Sequence, residues 1–207
     1  MIRNLTFSIL LLFFFRSENL FSQSDSIHRE FITVHFLYGS KPARGHKKTE
    51  EKWFGGIHGG HVYFQIDTTM FSFMLKPGWH IFPHRHDIEG GYVVSSAKEW
   101  ALDTANDKYT SIRIPLTDSQ YVILKNLETR YLSKSPYDYA FFGMRCASAA
   151  ADVLSQLGIL EKHSIFGYIV NNFYPKRLRK KLFRYAKQHH LQVIRKEGRK
   201  TRKWERD

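Results

Sequence analysis

The amino-acid sequence predicts an α+β fold in which an antiparallel sheet packs against helices. In the first half of the chain, short runs of β-forming residues end at turn signals, as strands do. From Leu116 onward, apolar residues recur at the spacing of a helix instead. The 207 residues include 17 Phe, 11 Tyr and 4 Trp, which is enough apolar material for one well-packed core.

Five strands are predicted before the helices. The first is followed by a turn signal at residues 39–42, and the second and third form a hairpin that turns at Thr68 and Thr69. The predicted strands cover residues 31–38, 61–67, 70–75, 91–95 and 110–114.

Two helices follow the strands. The first is capped by Thr117 and carries its apolar residues on one side: Tyr121, Leu124, Leu127, Tyr131 and Leu132. An aromatic, strand-like run at residues 137–142 leads to the second helix, which begins at Cys146 and is stopped by Gly158. The residues of this helix predicted to face the core are Ala147, Ala150, Val153, Leu154 and Leu157.

Residues 1–22 predict a secretory signal peptide. A short basic start precedes an apolar run at residues 5–15, which is too short to cross a bilayer because spanning takes roughly 20 residues. The mature chain is therefore expected to be exported, either to the periplasm and cell envelope or out of the cell.

The positive charge is concentrated at the C-terminal end of the chain. Residues 175–207 hold 14 Lys or Arg against 3 Asp or Glu, so residues 1–174 carry only +2 of the total net charge of +13. We therefore divide the mature chain into an α+β domain at residues 23–174 and a basic tail at residues 175–207. The tail begins with a predicted amphipathic helix whose apolar stripe is Leu178, Leu182, Phe183 and Ala186.

This basic helix has two interpretations. Either it docks its stripe on the domain, or it lies on an anionic membrane surface or envelope polymer. Nucleic acid is not an expected partner outside the cytoplasm. Beyond the helix, residues 191–194 predict a short strand, and Trp204 indicates that the end of the chain is anchored.

Cys146 is the single cysteine of the chain. It opens a helix, where free N–H groups and the positive end of the helix dipole stabilise a thiolate, which is the nucleophilic form. A single cysteine forms no internal disulfide, so the alternatives are a reactive thiol, a thiol paired between chains, and a buried thiol that packs as a small hydrophobe.

Four glycines surround His58 and His61 directly before the second predicted strand. Glycine permits unusual backbone dihedrals and close approach of two backbones. A histidine that leads into a strand can face a helix start packed on the same sheet. His61 is therefore predicted to accept the proton of the Cys146 thiol, and the alternative is a core histidine bonded to a backbone carbonyl.

The order of these motifs, a strand beginning Gly60-His61 and then Gly143-x-x-Cys146 opening a small-residue helix, resembles the circularly permuted papain-like superfamily across residues 30–165. This superfamily includes the lecithin-retinol acyltransferase-like proteins and related bacterial cell-envelope hydrolases. The resemblance implies a cysteine nucleophile at Cys146, a histidine base at His61 and a third polar residue that orients the imidazole.

His80 is predicted to be this third residue, on a strand beside His61, and Gln65 and Ser72 are alternatives farther along the hairpin. The oxyanion hole would include the backbone N–H of Cys146. In the acyltransferases an asparagine precedes the cysteine, where this chain has Arg145.

Together these features predict an exported thiol hydrolase or acyltransferase that needs no cofactor. The expected substrate is a peptide or lipid of the cell envelope, with amide cleavage preferred. The competing hypothesis is a non-catalytic or metal-binding envelope protein, because zinc and copper bind clustered imidazoles and carboxylates. That cluster comprises His58, His61, His80, His84, His86 and Asp87.

Overall fold

A computed structural model describes residues 30–50, 59–75, 80–86, 88 and 90–207, so the predicted signal peptide lies outside the described residues. In chain order the elements are β1 (Glu30–Tyr38), β2 (Ser40–Pro42), β3 (Gly60–Ile66), β4 (Thr69–Leu75), β5 (Gly90–Ser96), α1 (Ala97–Asp103), β6 (Tyr109–Leu116), α2 (Asp118–Ser133), α3 (Cys146–Gln156), α4 (Ile165–Asn171), α5 (Pro175–Gln188), β7 (Val193–Lys196) and β8 (Arg202–Trp204).

Six of these strands form one antiparallel sheet in the order β5-β4-β3-β1-β6-β7. This confirms the predicted α+β class with an antiparallel sheet packed against helices. Helices α2, α3 and α5 contact one face of the sheet, and the short helix α1 contacts the other. The five strands predicted before the helices are present in this sheet, with no end shifted by more than two residues.

Side chains of β3 alternate between the two faces of the sheet. Val62, Phe64 and Ile66 are buried in the core beneath the helices, and each such side chain contributes about 1.5–3 kcal/mol of burial free energy. Tyr63 packs instead against Trp100 of α1 on the opposite face. The alternation therefore decides which residues of β3 meet α3 and which meet α1.

Both predicted helices are confirmed. Thr117 caps α2, since its side chain accepts the N–H of Gln120 while the Gln120 side chain accepts the N–H of Thr117. The predicted apolar side of α2 packs on the core except for Leu132, which is exposed because it lies one position round the helix from Tyr131. All five residues predicted to face the core from the second helix are buried, four of them in α3 and Leu157 at its C-cap.

The hairpin between β3 and β4 turns one residue earlier than predicted. Ile66 pairs with Thr69, so the turn residues are Asp67 and Thr68. The φ of Asp67 is 54°, and an aspartate adopts this left-handed conformation more readily than a β-branched threonine does.

Two other predictions of local structure were wrong. Residues 40–42 do not end the first strand in a turn but form β2, which pairs with β8 near the end of the chain. The aromatic run at residues 137–142 is not a regular strand, because it makes only isolated bridges, Tyr139 with Met144 and Ala140 with His80. Helices α1 and α4 are seven residues each, too short for the pattern to predict.

The basic tail packs on the domain in this structure. Leu178, Leu182 and Ala186 of α5 are buried in the same core as β1, and β7 extends the main sheet. Trp204 lies in β8, where its indole N–H donates to the carbonyl of Arg199 at 3.0 Å. The apolar stripe of α5 is therefore covered by the domain, while the cationic side of the helix faces outward.

In the part of the chain that the structure describes, no helix has the length and apolar character needed to cross a membrane.

Candidate active site

Cys146 is the first residue of α3, and it is buried with 6% of its surface exposed. The residue before it, Arg145, has an extended backbone whose N–H donates to the Ser148 hydroxyl at 2.7 Å. The same hydroxyl donates to the carbonyl of Arg145 at 3.0 Å. These two bonds fix the angle at which the chain enters α3 and so the position of the sulphur.

Burial raises the pKa of the Cys146 thiol above its ordinary value. The Arg145 guanidinium and the backbone N–H groups of Val62, Ala147 and Cys146 lower this pKa, but by less than burial raises it. The thiol is therefore protonated at neutral pH in this structure, although a helix start by itself favours the thiolate. The reason is that the free energy needed to remove the thiolate from water exceeds the stabilisation that the nearby charge and N–H groups give it.

His61 is the second residue of β3, and its imidazole is neutral at neutral pH. Burial lowers its pKa to about 4. Its Nε2 atom is buried and has no hydrogen-bond partner among the described residues. This nitrogen therefore does not bond a described backbone carbonyl, as the alternative interpretation of His61 expected. A buried ring nitrogen without a partner is uncommon and calls for an explanation, such as a catalytic role.

A glycine is required directly before His61. Gly60 has a φ of 96°, and a Cβ atom at this position would come within 2.2 Å of the carbonyl oxygen of Leu37 in β1. Only glycine permits this close approach in this conformation. The glycine-histidine motif is thus explained at Gly60, while residues 51–58 lie outside the described part.

The structure places Cys146 beside the backbone of His61. The N–H of Val62 faces the Cys146 sulphur, so the sulphur lies next to the peptide that joins His61 to Val62. The imidazole ring contacts Tyr63 at 4.5 Å between ring centres. Burial raises the pKa of Tyr63 to about 12, and a charge on Cys146 adds to this shift. No hydrogen bond joins the side chains of these two residues, because His61 shares the face of Tyr63 and α3 packs on the other face.

A tyrosine hydroxyl lies beside the start of α3. The backbone N–H of Cys146 faces the oxygen of Tyr139, and burial raises the pKa of Tyr139 to about 12. The hydroxyl therefore keeps its proton. An oxyanion that displaces the Tyr139 oxygen from the Cys146 N–H would have this N–H and the Tyr139 O–H as neighbouring donors. Sequence reasoning found the N–H group but missed Tyr139, whose signal is a tyrosine seven residues before the cysteine.

His80, which is partly exposed, pairs with the buried Asp138. Its Nδ1 atom bonds the Asp138 carboxylate at 2.7 Å, and the same carboxylate accepts the backbone N–H of His84 at 2.9 Å. The rings of His80 and His84 stack with centres 3.7 Å apart. The described contacts of His61 do not include His80, so His80 does not orient the imidazole of His61 by a direct bond in this structure.

Asp138 was not found from the sequence. Its side chain is fully buried, and its partner His80 lies 58 residues away along the chain. No local spacing marks such a pair, because the contact is created when residues 80–82 run beside residues 140–142.

Comparisons with protein-family models, with curated proteins and with solved structures give no match. The resemblance to the papain-like superfamily therefore depends on the sequence motifs alone.

A metal centre needs several ligands that converge. In the described ranges, no group of three or more His, Cys, Asp or Glu side chains is arranged to hold a metal ion. Two members of the predicted cluster, His58 and Asp87, lie outside those ranges.

A second buried histidine, His35, lies on β1 at the same face of the sheet as His61. Its Nδ1 bonds the hydroxyl of Ser111 at 2.8 Å, and its Nε2 bonds the side-chain oxygen of Gln65 at 3.1 Å. Burial lowers the pKa of His35 to about 4, although the bond to Gln65 acts in the opposite direction.

These two histidines predict a loss of stability in mild acid. Unfolding returns each pKa from about 4 toward 6.5, so the unfolded chain binds more protons between these values and stability falls as the pH drops from 6.5 to 4. The expected loss is about 3 kcal/mol for each histidine at pH 4. Urea unfolding at pH 7 and at pH 4.5 measures it, and His35→Gln should reduce the loss by about half. Equal stability at the two pH values would contradict the burial of both rings.

Proposed function

We propose that this chain is an exported papain-like cysteine hydrolase or acyltransferase, with Cys146 as nucleophile and His61 as base. The preferred reaction is cleavage of an amide or peptide bond in a cell-envelope substrate. The observation that supports it most strongly is the position of the Cys146 sulphur, at the first residue of a buried helix and beside the peptide that follows His61.

In the proposed reaction, the sulphur bonds to the acyl carbon and the thiol proton passes to Nε2 of His61. The ring is neutral, and Nε2 has no hydrogen-bond partner among the described residues, so it accepts a proton in the tautomer that carries its N–H at Nδ1. The oxyanion accepts hydrogen bonds from the Tyr139 hydroxyl and the Cys146 N–H. The leaving amine takes the proton from His61, and water or a second acceptor then cleaves the thioester.

The imidazole of His61 must turn toward the sulphur for this transfer. Hydrogen bonds between catalytic groups are often long or absent without substrate and form only in the complex. Because the ring lies with Tyr63 on the opposite face of β3 from α3, the transfer requires the start of β3 or of α3 to shift together with the side chain.

Trapping an acyl-enzyme tests the proposal. With p-nitrophenyl acetate, the full chain is expected to release a burst of p-nitrophenolate equal to the protein concentration. Intact mass spectrometry should show one acetyl group on Cys146, the single thiol of the chain. Neutral hydroxylamine should remove this group, because it cleaves thioesters and leaves acetylated lysines intact.

Cys146→Ala should show neither the burst nor the hydroxylamine-sensitive adduct. Cys146 has small buried neighbours, so alanine fits the site without overpacking. The matched control is His46→Gln, which changes an exposed side chain outside the site. An adduct that persists in Cys146→Ala, or the lack of any adduct in the natural chain, contradicts the proposed function.

A further inference from the structure

The surface beside Cys146 carries an exposed aromatic patch. Ring contacts link Phe82 to Phe142 at 5.4 Å, Phe142 to Phe141 at 4.8 Å, and Phe141 to Phe173 at 6.0 Å. Phe166 of α4 faces Phe142 across a shallow groove of about 330 Å³. We define the aromatic patch as Phe82, Phe141, Phe142, Phe166, Phe173 and Tyr174.

Several side chains of the aromatic patch are largely exposed to solvent. Phe166 is 75% exposed, Phe82 is 64% exposed and Phe142 is 53% exposed. Every phenylalanine that the described part of the chain exposes belongs to this patch. Single exposed apolar residues are ordinary, but a contiguous group of them marks an interaction surface.

The patch is held by backbone hydrogen bonds rather than carried on a free loop. The N–H of Phe141 donates to the carbonyl of His80 at 2.8 Å, and the N–H of Phe142 donates to the carbonyl of Ile81 at 2.9 Å. These bonds join two chain segments into one support. The rings therefore form a surface ready to bind without the entropy cost of ordering a loop.

Cationic groups border the patch. The Arg145 guanidinium lies 4.7 Å from the ring centre of Phe173, and Arg177 lines the groove with Nη1 donating to the carbonyl of Val170 at 2.8 Å. Among the residues that the structure describes, no acidic side chain lines that groove. Beyond Arg177, the outward side of α5 continues the positive charge with Lys180, Arg184 and Lys187.

We propose that the aromatic patch docks on an anionic lipid bilayer. Apolar rings bordered by Lys and Arg bind membranes by inserting the rings at the headgroup boundary while the cations attract anionic lipid. A second copy of this chain is the less fitting occupant, because the total net charge of +13 makes two copies repel. The stripe of α5 is buried, so the patch is the apolar part of this surface.

Docking would hold the start of α3 at the lipid surface, since Phe141, Phe142 and Arg145 directly precede Cys146. Where the proposed thiol chemistry is correct, this places the substrate at the bilayer. Lipid binding itself does not depend on that chemistry, so the two proposals can fail separately.

Co-sedimentation with vesicles tests the docking. The full chain should bind vesicles of phosphatidylcholine and phosphatidylglycerol, and it should bind more weakly to phosphatidylcholine alone and at high salt. Phe142→Ser combined with Phe166→Ser should weaken binding by at least about tenfold. Thermal unfolding followed by circular dichroism verifies that this double variant is folded.

The matched control combines Leu102→Ser with Val122→Ser, which removes two exposed apolar side chains of α1 and α2 away from the patch. This control and Cys146→Ala should bind as the natural chain does. Equal binding by the Phe142 and Phe166 double variant overturns the proposal. The proposal is also overturned if the natural chain does not bind vesicles but forms a dimer that the double variant cannot form. The patch would then bind a second copy.

Discussion

Replacing His61 with glutamine is expected to slow the acylation of Cys146 by about 10²–10⁴-fold, the usual contribution of a positioned general base. Burial keeps both partners neutral at rest, since it raises the pKa of the thiol and lowers the pKa of His61 to about 4. The natural chain should therefore acylate at a constant rate between pH 5 and pH 8. The variant lacks a base, so its rate should rise with thiolate concentration, about tenfold per pH unit.

Stopped-flow release of p-nitrophenolate across this pH range measures both effects. His46→Gln is the control, because its exposed side chain lies outside the site. In His80→Gln the rate should fall by less, and the profile should stay flat because His61 still accepts the proton. A His61→Gln variant with natural rates contradicts the assignment, and a steep profile confined to His80→Gln would move the base to His80.

Replacing Arg179 with methionine is expected to lower the free energy of unfolding by about 3–5 kcal/mol, as the loss of one partner of a buried ion pair does. The Arg179 guanidinium is fully buried, bonds Glu205 at 3.0 Å and Asp207 at 2.9 Å, and lies 3.7 Å from the ring centre of Tyr38. Methionine fills much of the same space but leaves the Glu205 carboxylate buried without this cation.

Urea unfolding of Arg179→Met measures this loss. The control is Arg184→Met, which removes an exposed arginine from the same helix and should change stability by less than about 0.5 kcal/mol. Adding Glu205→Gln to Arg179→Met should restore part of the stability, because it removes the buried charge that Arg179 pairs with. If Arg179→Met unfolds like Arg184→Met, the buried pair does not anchor the tail.

The strands and long helices were predictable because each has a local cause. Alternation marks β1 and β3, the Thr117 cap marks the start of α2, and small residues at helical spacing mark α3. The short elements β2, β8, α1 and α4 were not predictable, because a strand of three residues or a helix of seven residues, about two turns, carries too little pattern. Strand β2 exists only because the distant end of the chain pairs with it.

The residues of the candidate site also fall into those that local patterns predict and those that only long-range contacts bring together. The positions of Cys146 at a helix start and of His61 at a strand start follow from local patterns. The partner of His80 does not, since Asp138 reaches it from 58 residues away. Tyr139 faces Cys146 only because residues 139–144 fold back on themselves before α3 begins.

By itself, the sequence determined the α+β class, the helix that Cys146 opens, the strand that His61 begins and the location of the positive charge, because each depends on neighbours along the chain. Only the tertiary structure decided the protonation of Cys146 and His61, the burial of the α5 stripe and the aromatic patch. These depend on how much water each group loses, and segments far apart in the chain determine that loss.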